Sequence, residues 1–154
     1  MDEELKKRAL RILERRDVSR KMMLDRLTEK GASEEAAGEV TDWLCDIGAI
    51  NDERYAGLVV RHYARKGYGE SRLCEELRRR GIDRELWDTA LAEAPEPDDT
   101  VYALLTRKLR GDDSPENIRR AVGYLQRRGF NWSDIEPALS RWKSREDEET
   151  EDTI

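Results

Sequence analysis

An all-α fold made of three tandem three-helix repeats is predicted by three features of the sequence. A motif recurs in which an apolar residue, a polar or basic turn, one glycine, one apolar residue and a small polar residue follow one another: Leu27–Ser33, Leu77–Asp83 and Leu125–Asn131. Its glycines lie 50 and 48 residues apart, a period typical of repeat proteins. Apolar residues recur at spacings of three and four, and no segment shows the alternation of a strand.

The composition favours slender helices over one thick core. Charged residues make up 42% of the chain and hydrophobic residues 37%, against roughly 25% charged in average proteins. A repeat of this size buries little apolar surface alone, so neighbouring repeats are expected to share it. The expected segments are repeat 1 over 1–50, repeat 2 over 51–94, a linker over 95–99, repeat 3 over 100–143 and a disordered acidic tail over 144–154.

In the first repeat, a helix is expected from about Glu3 to Arg16. One apolar stripe supports it: Leu5, Ala9, Ile12 and Leu13. Asp17 or Ser19 can cap a second helix that ends at Gly31. Ser33 can cap a third helix, which ends at Gly48 and has its own stripe: Ala36, Val40, Trp43, Leu44 and Ile47.

The second repeat follows the same plan. Asn51 or Asp52 opens a helix whose expected inner face contains Tyr55, Leu58, Val59, His62 and Tyr63. Two glycines around Tyr68 break this helix. The next helix ends at Gly81, after which Asp83 is expected to cap the last helix of the repeat.

Prolines and capping residues mark the third repeat. Pro95 and Pro97 indicate the linker, because proline removes a backbone donor and disfavours helix. Ser114 followed by Pro115 is typical of a helix start. For the last helix, either Asn131 or the capping-box pair Ser133 and Glu136 can supply the cap.

A glycine after a basic last turn is an expected helix stop. Glycine adopts the left-handed conformation without a side-chain penalty, and basic residues favour the negative end of a helix. The small polar residue that follows can cap the next helix. The product is a helix, a tight turn and a helix, which is also the frame of DNA-binding helix-turn-helix domains.

With these repeats in place, the chain closely resembles the RecX family, bacterial regulators of the recombinase RecA. The resemblance covers roughly residues 5 to 143 and is most specific over Asn51–Ala56, Arg65–Gly69 and Leu73–Asp83. Asn51 stands where the family often has aspartate, and the acidic tail is not part of the family pattern. The residues that match the family motif are Asp52, Glu53, Arg54, Tyr55, Gly67, Tyr68, Gly69 and Gly81.

The resemblance implies an elongated, curved array that binds along the groove of a RecA filament on DNA. It implies a non-enzymatic regulator without cofactors, which limits filament growth and lowers recombinase, ATPase and coprotease activity in DNA repair and the SOS response. The expected partner is RecA, with a possible weak direct contact to DNA, and nothing in the sequence requires a dimer.

A basic stripe is the candidate binding site. Its members are Arg65, Lys66, Arg72, Arg78, Arg79, Arg80, Arg127 and Arg128. They can contact acidic RecA surface or DNA phosphates, or they can pair locally with Glu75, Glu76 and Asp83. Local pairing is favoured for any single arginine and binding for the stripe as a whole. Tyr68 can pack in the core or project as a contact, and both alternatives stay open.

No pattern of catalytic or metal-binding residues is apparent. His62, the single histidine, is expected in the core or at its boundary, since no nucleophile or orienting acid has a recognisable spacing to it. Trp43, Trp87 and Trp142 are expected in the core, while Trp132 is undecided. The remaining pair, Cys45 and Cys74, shows no metal-ligand or disulfide pattern.

Two other functions compete with filament regulation. A helix-turn-helix transcription regulator needs base-reading side chains on its third helices, yet two of these segments, Ala36–Ile47 and Leu86–Ala94, are acidic or apolar and hold few Arg, Asn or Gln residues. A generic α-solenoid scaffold for unrelated partners is the third possibility.

The negative net charge resides in the tail. The chain carries a formal charge of −6, and six of its acids fall within the last nine residues. Without those six, the 35 acidic residues fall to 29, equal to the 29 basic residues. A solubility tail is the favoured interpretation, and an arm that competes with nucleic acid is the alternative. The acidic first residues and the lack of a long apolar run predict a cytoplasmic location without membrane association.

Overall fold

Helices account for all of the regular secondary structure in the part of the chain that is described. The computed structural model describes the backbone of residues 1–152 and the side chains of residues 1–145. Over these residues it contains nine α-helices, one short 3-10 turn at Arg84–Leu86 and no strand, which confirms the all-α prediction. The helices are α1 Glu3–Arg15, α2 Arg20–Glu29, α3 Glu34–Asp46, α4 Asp52–Arg65, α5 Glu70–Arg79, α6 Trp87–Leu91, α7 Asp98–Leu109, α8 Pro115–Arg127 and α9 Trp132–Asp152.

Serine side chains begin three of these helices, as expected. Ser19 Oγ accepts a hydrogen bond from the backbone N–H of Met22 at 3.1 Å, which satisfies one of the free donors at the start of α2. Ser33 does the same for α3, at 3.1 Å from the N–H of Ala36. Ser114 caps α8 directly before a proline at the first helical position.

The chain divides into two units. One contains residues 1–60 and 75–93, and the other contains residues 61–74 together with residue 94 onward. The expected second repeat therefore contributes residues to both units, and the boundary of each predicted repeat remains a prediction.

Each unit has its own apolar core. In the first unit, α1, α2 and α3 enclose a cluster of buried residues: Leu5, Ala9, Ile12, Val18, Met23, Leu27, Ala37, Val40, Leu44 and Ile50. In the second, α7, α8 and α9 enclose another: Val101, Leu105, Leu109, Ala121, Leu125, Phe130, Ile135, Ala138, Leu139 and Trp142. These stripes follow the helical spacing that the sequence predicts.

The expected inner face of α4 is wrong by about one residue. Leu58 and His62 are exposed, whereas Ala56, Val59 and Val60 are buried. Positions 56, 59 and 60 form an equally regular helical stripe, and the small Ala56 allows close packing there. Directly after α3, Ile47 is likewise exposed although it extends the apolar pattern.

One cap differs from expectation, and at α9 the structure contains one of the two expected alternatives. Asp83 makes no side-chain capping bond, and the chain after it forms a 3-10 turn before the short α6. At α9, Ser133 and Glu136 lie inside the helix. The cap is Asn131, whose Oδ1 accepts from the N–H of Asp134 at 2.9 Å, while Asp134 accepts from the N–H of Asn131 at 3.3 Å.

Two segments are more helical than the sequence indicates. Helix α7 begins at Asp98, inside the expected linker, because a helix tolerates proline just before its first turn. Helix α9 continues to Asp152, where disorder is expected from residue 144. Glutamate is a good helix former, and no glycine or proline follows Pro137 to stop the helix. The end of the expected tail, residues 153–154, lies outside the described residues.

None of the described helices combines the length with the apolar character that crossing a bilayer requires.

Candidate binding surface

The Gly81 turn receives the start of α2 in the first unit. Ser19 Oγ donates a hydrogen bond to the carbonyl of Arg80, and a Cβ atom at Gly81 would lie only 2.2 Å from the Lys21 side chain. Asp52 Oδ1 accepts from the N–H of Arg20 at 2.8 Å, so this carboxylate satisfies a free donor of α2. Two family-motif residues, Asp52 and Gly81, therefore hold α2 in place.

The Gly129 turn receives the start of α5 in the second unit. The N–H groups of Gly69 and Ser71 donate to the carbonyls of Arg128 and Gly129 at 2.8 and 3.2 Å. A Cβ atom at Gly69 would lie 2.6 Å from the backbone of Gly129. Because the positive end of α5 meets carbonyls at the negative end of α8, the contact is electrostatically favourable.

The remaining motif residues at the start of α4 have structural partners or face solvent. Asn51 Oδ1 accepts from the N–H of Arg54 at 3.0 Å, which identifies Asn51 as the residue that caps α4. The Tyr55 hydroxyl lies 3.6 Å from the sulfur of Met22, while Glu53 and Arg54 are exposed.

Tyr68 is packed rather than projecting. Its ring is half-buried between two guanidinium groups, with Arg72 at 4.5 Å and Arg128 at 4.2 Å from the ring centroid. Arg128 also donates through Nε to the carbonyl of Gly67 at 2.9 Å and through Nη2 to the carbonyl of Lys66. Two members of the predicted stripe, Arg72 and Arg128, thus contribute to packing at this turn.

Two further members of the stripe are paired with carboxylates. Arg79 contacts Glu75 at 3.0 Å and Glu76 at 3.3 Å, and Arg80 contacts Glu76. The Glu76 residue is only 2% exposed, so its charge requires these partners. Local pairing, one of the two alternatives for these arginines, is what the structure contains.

Four members of the predicted stripe present exposed positive charge. They are Arg65, Lys66, Arg78 and Arg127. Arg78 lies 5.4 Å from the centroid of the Trp87 ring, and Lys66 lies 5.7 Å from that of Tyr63. None of the four forms an ion pair with a carboxylate of the described chain.

Another set of cations, which the sequence analysis did not single out, lies on α7 and α8. Its exposed members are Arg107, Lys108, Arg110, Arg119 and Arg120. In the sequence, Asp112, Asp113 and Glu116 separate them and mask the local excess of base. For the two on α8, the signal that could have found them is the spacing of eight residues from Arg119 and seven from Arg120 to Arg127, which places all three on one side of α8.

The remaining candidate residues have structural or exposed positions. His62 is exposed, which corrects the expected core position, and its ring meets that of Tyr63 edge-on at 5.0 Å. Trp87 and Trp142 are buried and Trp43 is half-buried, whereas Trp132 is 51% exposed.

The Cys45 thiol and the described acidic side chains are the remaining groups with potential chemical reactivity. Burial raises the pKa of the Cys45 thiol, so less of the nucleophilic thiolate is present at neutral pH. Among the residues that the structure describes, no cluster of three His, Cys, Asp or Glu side chains is placed to hold a metal ion.

The third helices of the first two expected repeats, α3 and α6, lack the side chains of a base-reading helix. Helix α3 contains no lysine or arginine and carries five acids, and α6 is only five residues long. Sequence-specific readout needs Arg, Lys, Asn or Gln at the base edges, so this geometry weighs against a helix-turn-helix transcription regulator.

Comparisons with known proteins agree on one family. Residues 6–44 match the first three-helix domain of RecX, and residues 51–91 match the second. A regulatory protein RecX of Xanthomonas axonopodis pv. citri is 39% identical over 135 residues, spanning 85% of this chain and 83% of that protein. The regulatory protein RecX of Mycolicibacterium smegmatis is 36% identical over 142 residues, spanning 86% of this chain and 76% of that protein.

A solved structure has the same fold. The crystal structure of RecX from Lactobacillus salivarius superposes with a TM-score of 0.83 at 23% identity, covering 90% of this chain and 94% of that one. The match to the second domain, over residues 51–91, includes the Gly81 turn. The chain belongs to the RecX family of regulatory proteins.

Proposed function

We propose that this chain binds RecA, free and in filaments on DNA, and limits filament growth. Its action lowers recombinase, ATPase and coprotease activity during DNA repair and the SOS response, in the cytoplasm and without chemistry of its own. The observation that carries the proposal is the family match, because relatives named as regulatory protein RecX align with more than four fifths of the chain.

Exposed charge supports a role for α4 and α5 in this binding. Arg65, Lys66 and Arg78 stand on or next to the family-motif segments and have no carboxylate partner among the described residues. Arg79 and Arg80 are neutralised by glutamates. We therefore expect Arg65, Lys66 and Arg78 to attract an acidic partner surface more strongly than the paired arginines do. Salt should weaken this attraction.

A RecA titration tests the function. Purified chain added to RecA, single-stranded DNA and ATP should lower ATP hydrolysis and strand exchange at ratios well below one chain per RecA, since a regulator of growth acts at few sites. Filament imaging in the same samples should show shorter filaments. Unchanged ATPase rates across a wide titration would remove the proposal.

Charge reversal tests the surface. The Arg65→Glu, Lys66→Glu double variant and the Arg78→Glu variant should each need about tenfold more protein for half-inhibition, with the loss largest at low salt. Arg11→Glu, at an exposed position of α1, is the control matched in charge to Arg78→Glu, and the Arg8→Glu, Arg11→Glu double variant is the control matched to the other; both should behave as the native chain. If the controls lose as much inhibition as the other variants, the effect is net charge rather than this surface.

A further inference from the structure

A groove on α8, also bordered by Lys108 at the end of α7, carries a concentrated positive charge. It encloses about 900 Å³, and its wall includes four cations: Lys108, Arg119, Arg120 and Arg127. A second cavity of about 380 Å³, lined by Arg107, Lys108, Arg110 and Asn117, shares Lys108 and Asn117 with the groove.

The charge in the groove is not neutralised by the described chain. Glu116 is the one carboxylate in its described lining, and no described acid forms an ion pair with Lys108 or the three arginines. Arg79 and Arg80, by contrast, each pair with a glutamate. Like charges held this close repel one another, so the arrangement favours a bound anion.

A helical glycine lies in the wall of the groove. Gly123 lies in the middle of α8, where glycine weakens a helix relative to alanine. A Cβ atom there would stand 3.3 Å from Nη1 of Arg127, a tight contact that shifts the guanidinium by a few tenths of an ångström. The next residue, Tyr124, adds an aromatic ring to the wall, and Lys108 Nζ lies 4.1 Å from its centroid.

The turn between α7 and α8 is held in place by one amide. Asn117 Nδ2 donates to the carbonyls of Leu109 and Asp112 at 2.9 and 2.8 Å. Asp112 accepts in turn from the N–H of Ser114 at 2.9 Å, and this bond lowers the pKa of Asp112. The cations therefore project from a preorganised frame, which reduces the entropy lost when a ligand binds.

We infer that this groove binds the phosphodiester backbone of a single-stranded nucleic acid. Three of the four cations are arginines, whose planar donors match phosphate oxygens. Arg119 and Arg127 are eight residues apart, about 12 Å along the helix, so the groove can hold more than one phosphate. A concave basic channel with an aromatic ring suits one strand, whose unpaired bases can contact the ring. The site goes beyond the proposed function, because it requires no recombinase.

Fluorescence anisotropy with a labelled oligothymidylate, the full chain and no RecA tests the site. The Arg119→Glu, Arg120→Glu double variant should lose at least about tenfold in affinity, and the salt slope of log K should fall by about 0.7 for each cation removed. The Arg8→Glu, Arg11→Glu double variant on α1 changes the net charge equally and should keep most of the affinity. Equal losses in the two double variants would overturn the assignment.

A charge-neutral variant provides the second measurement. Gly123→Ala should weaken oligonucleotide binding and at the same time raise the melting temperature, since alanine strengthens the helix. Unchanged affinity in this more stable variant would contradict the groove geometry.

Competition decides the ligand class: stronger displacement by a polyglutamate peptide, or equal affinity for a duplex of the same length, would overturn the single-strand assignment. Either failure leaves the RecA titration, and hence the proposed function, unaffected.

Discussion

Gly129 combines two constraints in one residue. Its φ of +97° lies in the left-handed region that disfavours side chains, and a Cβ atom there would be 2.6 Å from the backbone nitrogen of Arg72. Gly111 has a similar φ of +77° but open space around it. Substitution of Gly111 therefore measures the free energy of backbone strain alone, whereas substitution of Gly129 measures backbone strain together with the close contact with α5.

Alanine substitution at both positions measures the difference. We expect Gly111→Ala to destabilise the chain by about 1 kcal/mol through the backbone alone. Gly129→Ala should cost about 3 kcal/mol, because α5 must also move away from the turn. Urea unfolding followed by circular dichroism gives both free energies of unfolding. Equal losses would show that the contact with α5 contributes nothing.

At the scale of the helix, Ser19 performs two tasks where most caps perform one. Its hydroxyl accepts from the N–H of Met22 and donates to the carbonyl of Arg80, and the residue is fully buried. Ser33 makes the same type of capping bond to α3 at an exposed position. A comparison of Ser19 with Ser33 therefore measures how much stability the second hydrogen bond, to the Arg80 carbonyl, adds to that of a cap.

The Ser33→Ala variant should lose about 1 kcal/mol of stability, the usual value of an N-cap. Ser19→Ala should lose about 2–3 kcal/mol, because the Arg80 carbonyl also loses its buried donor. Chemical denaturation of both variants, compared with the native chain, is the measurement. A Ser19→Ala loss no larger than that of Ser33→Ala would mean that water replaces the missing hydroxyl.

Sequence-local signals predict most of the helix ends correctly, but they fail where contacts with residues distant in sequence determine the structure. The glycine stops and the serine caps at 19, 33 and 114 depend on residues close in sequence, and all are present in the structure. The inner face of α4 depends on which of two similar apolar stripes packs against neighbouring helices. The sequence pattern places Leu58 on the inner face, but in the structure Leu58 is exposed. Asp83 has the composition of a cap, but its neighbours form a 3-10 turn instead.

The candidate site was less predictable for the same reason. Whether a basic residue is exposed or neutralised depends on contacts that spacing alone does not define. Arg128 donates to carbonyls 61 and 62 residues away, and nothing in its local sequence indicates those partners. The sequence places glutamates near Arg79 and Arg80 and so offers local pairing as one alternative, but it does not show which arginines those glutamates pair with.

At the scale of the whole molecule, charge is segregated along the chain. Six acids occupy the last nine residues, and the rest of the chain is balanced between 29 acids and 29 bases. Arg119 lines the basic groove and also a pocket with Trp142 and Lys143 on α9. The acidic run thus begins only a few residues after side chains that share a pocket with a groove cation. Exposed charges within about 30 Å of each other interact at about 0.01 M salt and are largely screened at higher salt.

Removal of the acidic run therefore tests whether it competes with a nucleic acid. A chain that ends at Arg145 should bind a labelled single-stranded oligonucleotide more tightly than the full chain, by several-fold at low ionic strength and little at high. A full-length control in which the six acids are replaced by their amides should show the same gain, because it removes charge without removing length. Affinity that stays the same in both would assign the run to solubility, and a gain in the truncated chain alone would point to steric rather than electrostatic competition.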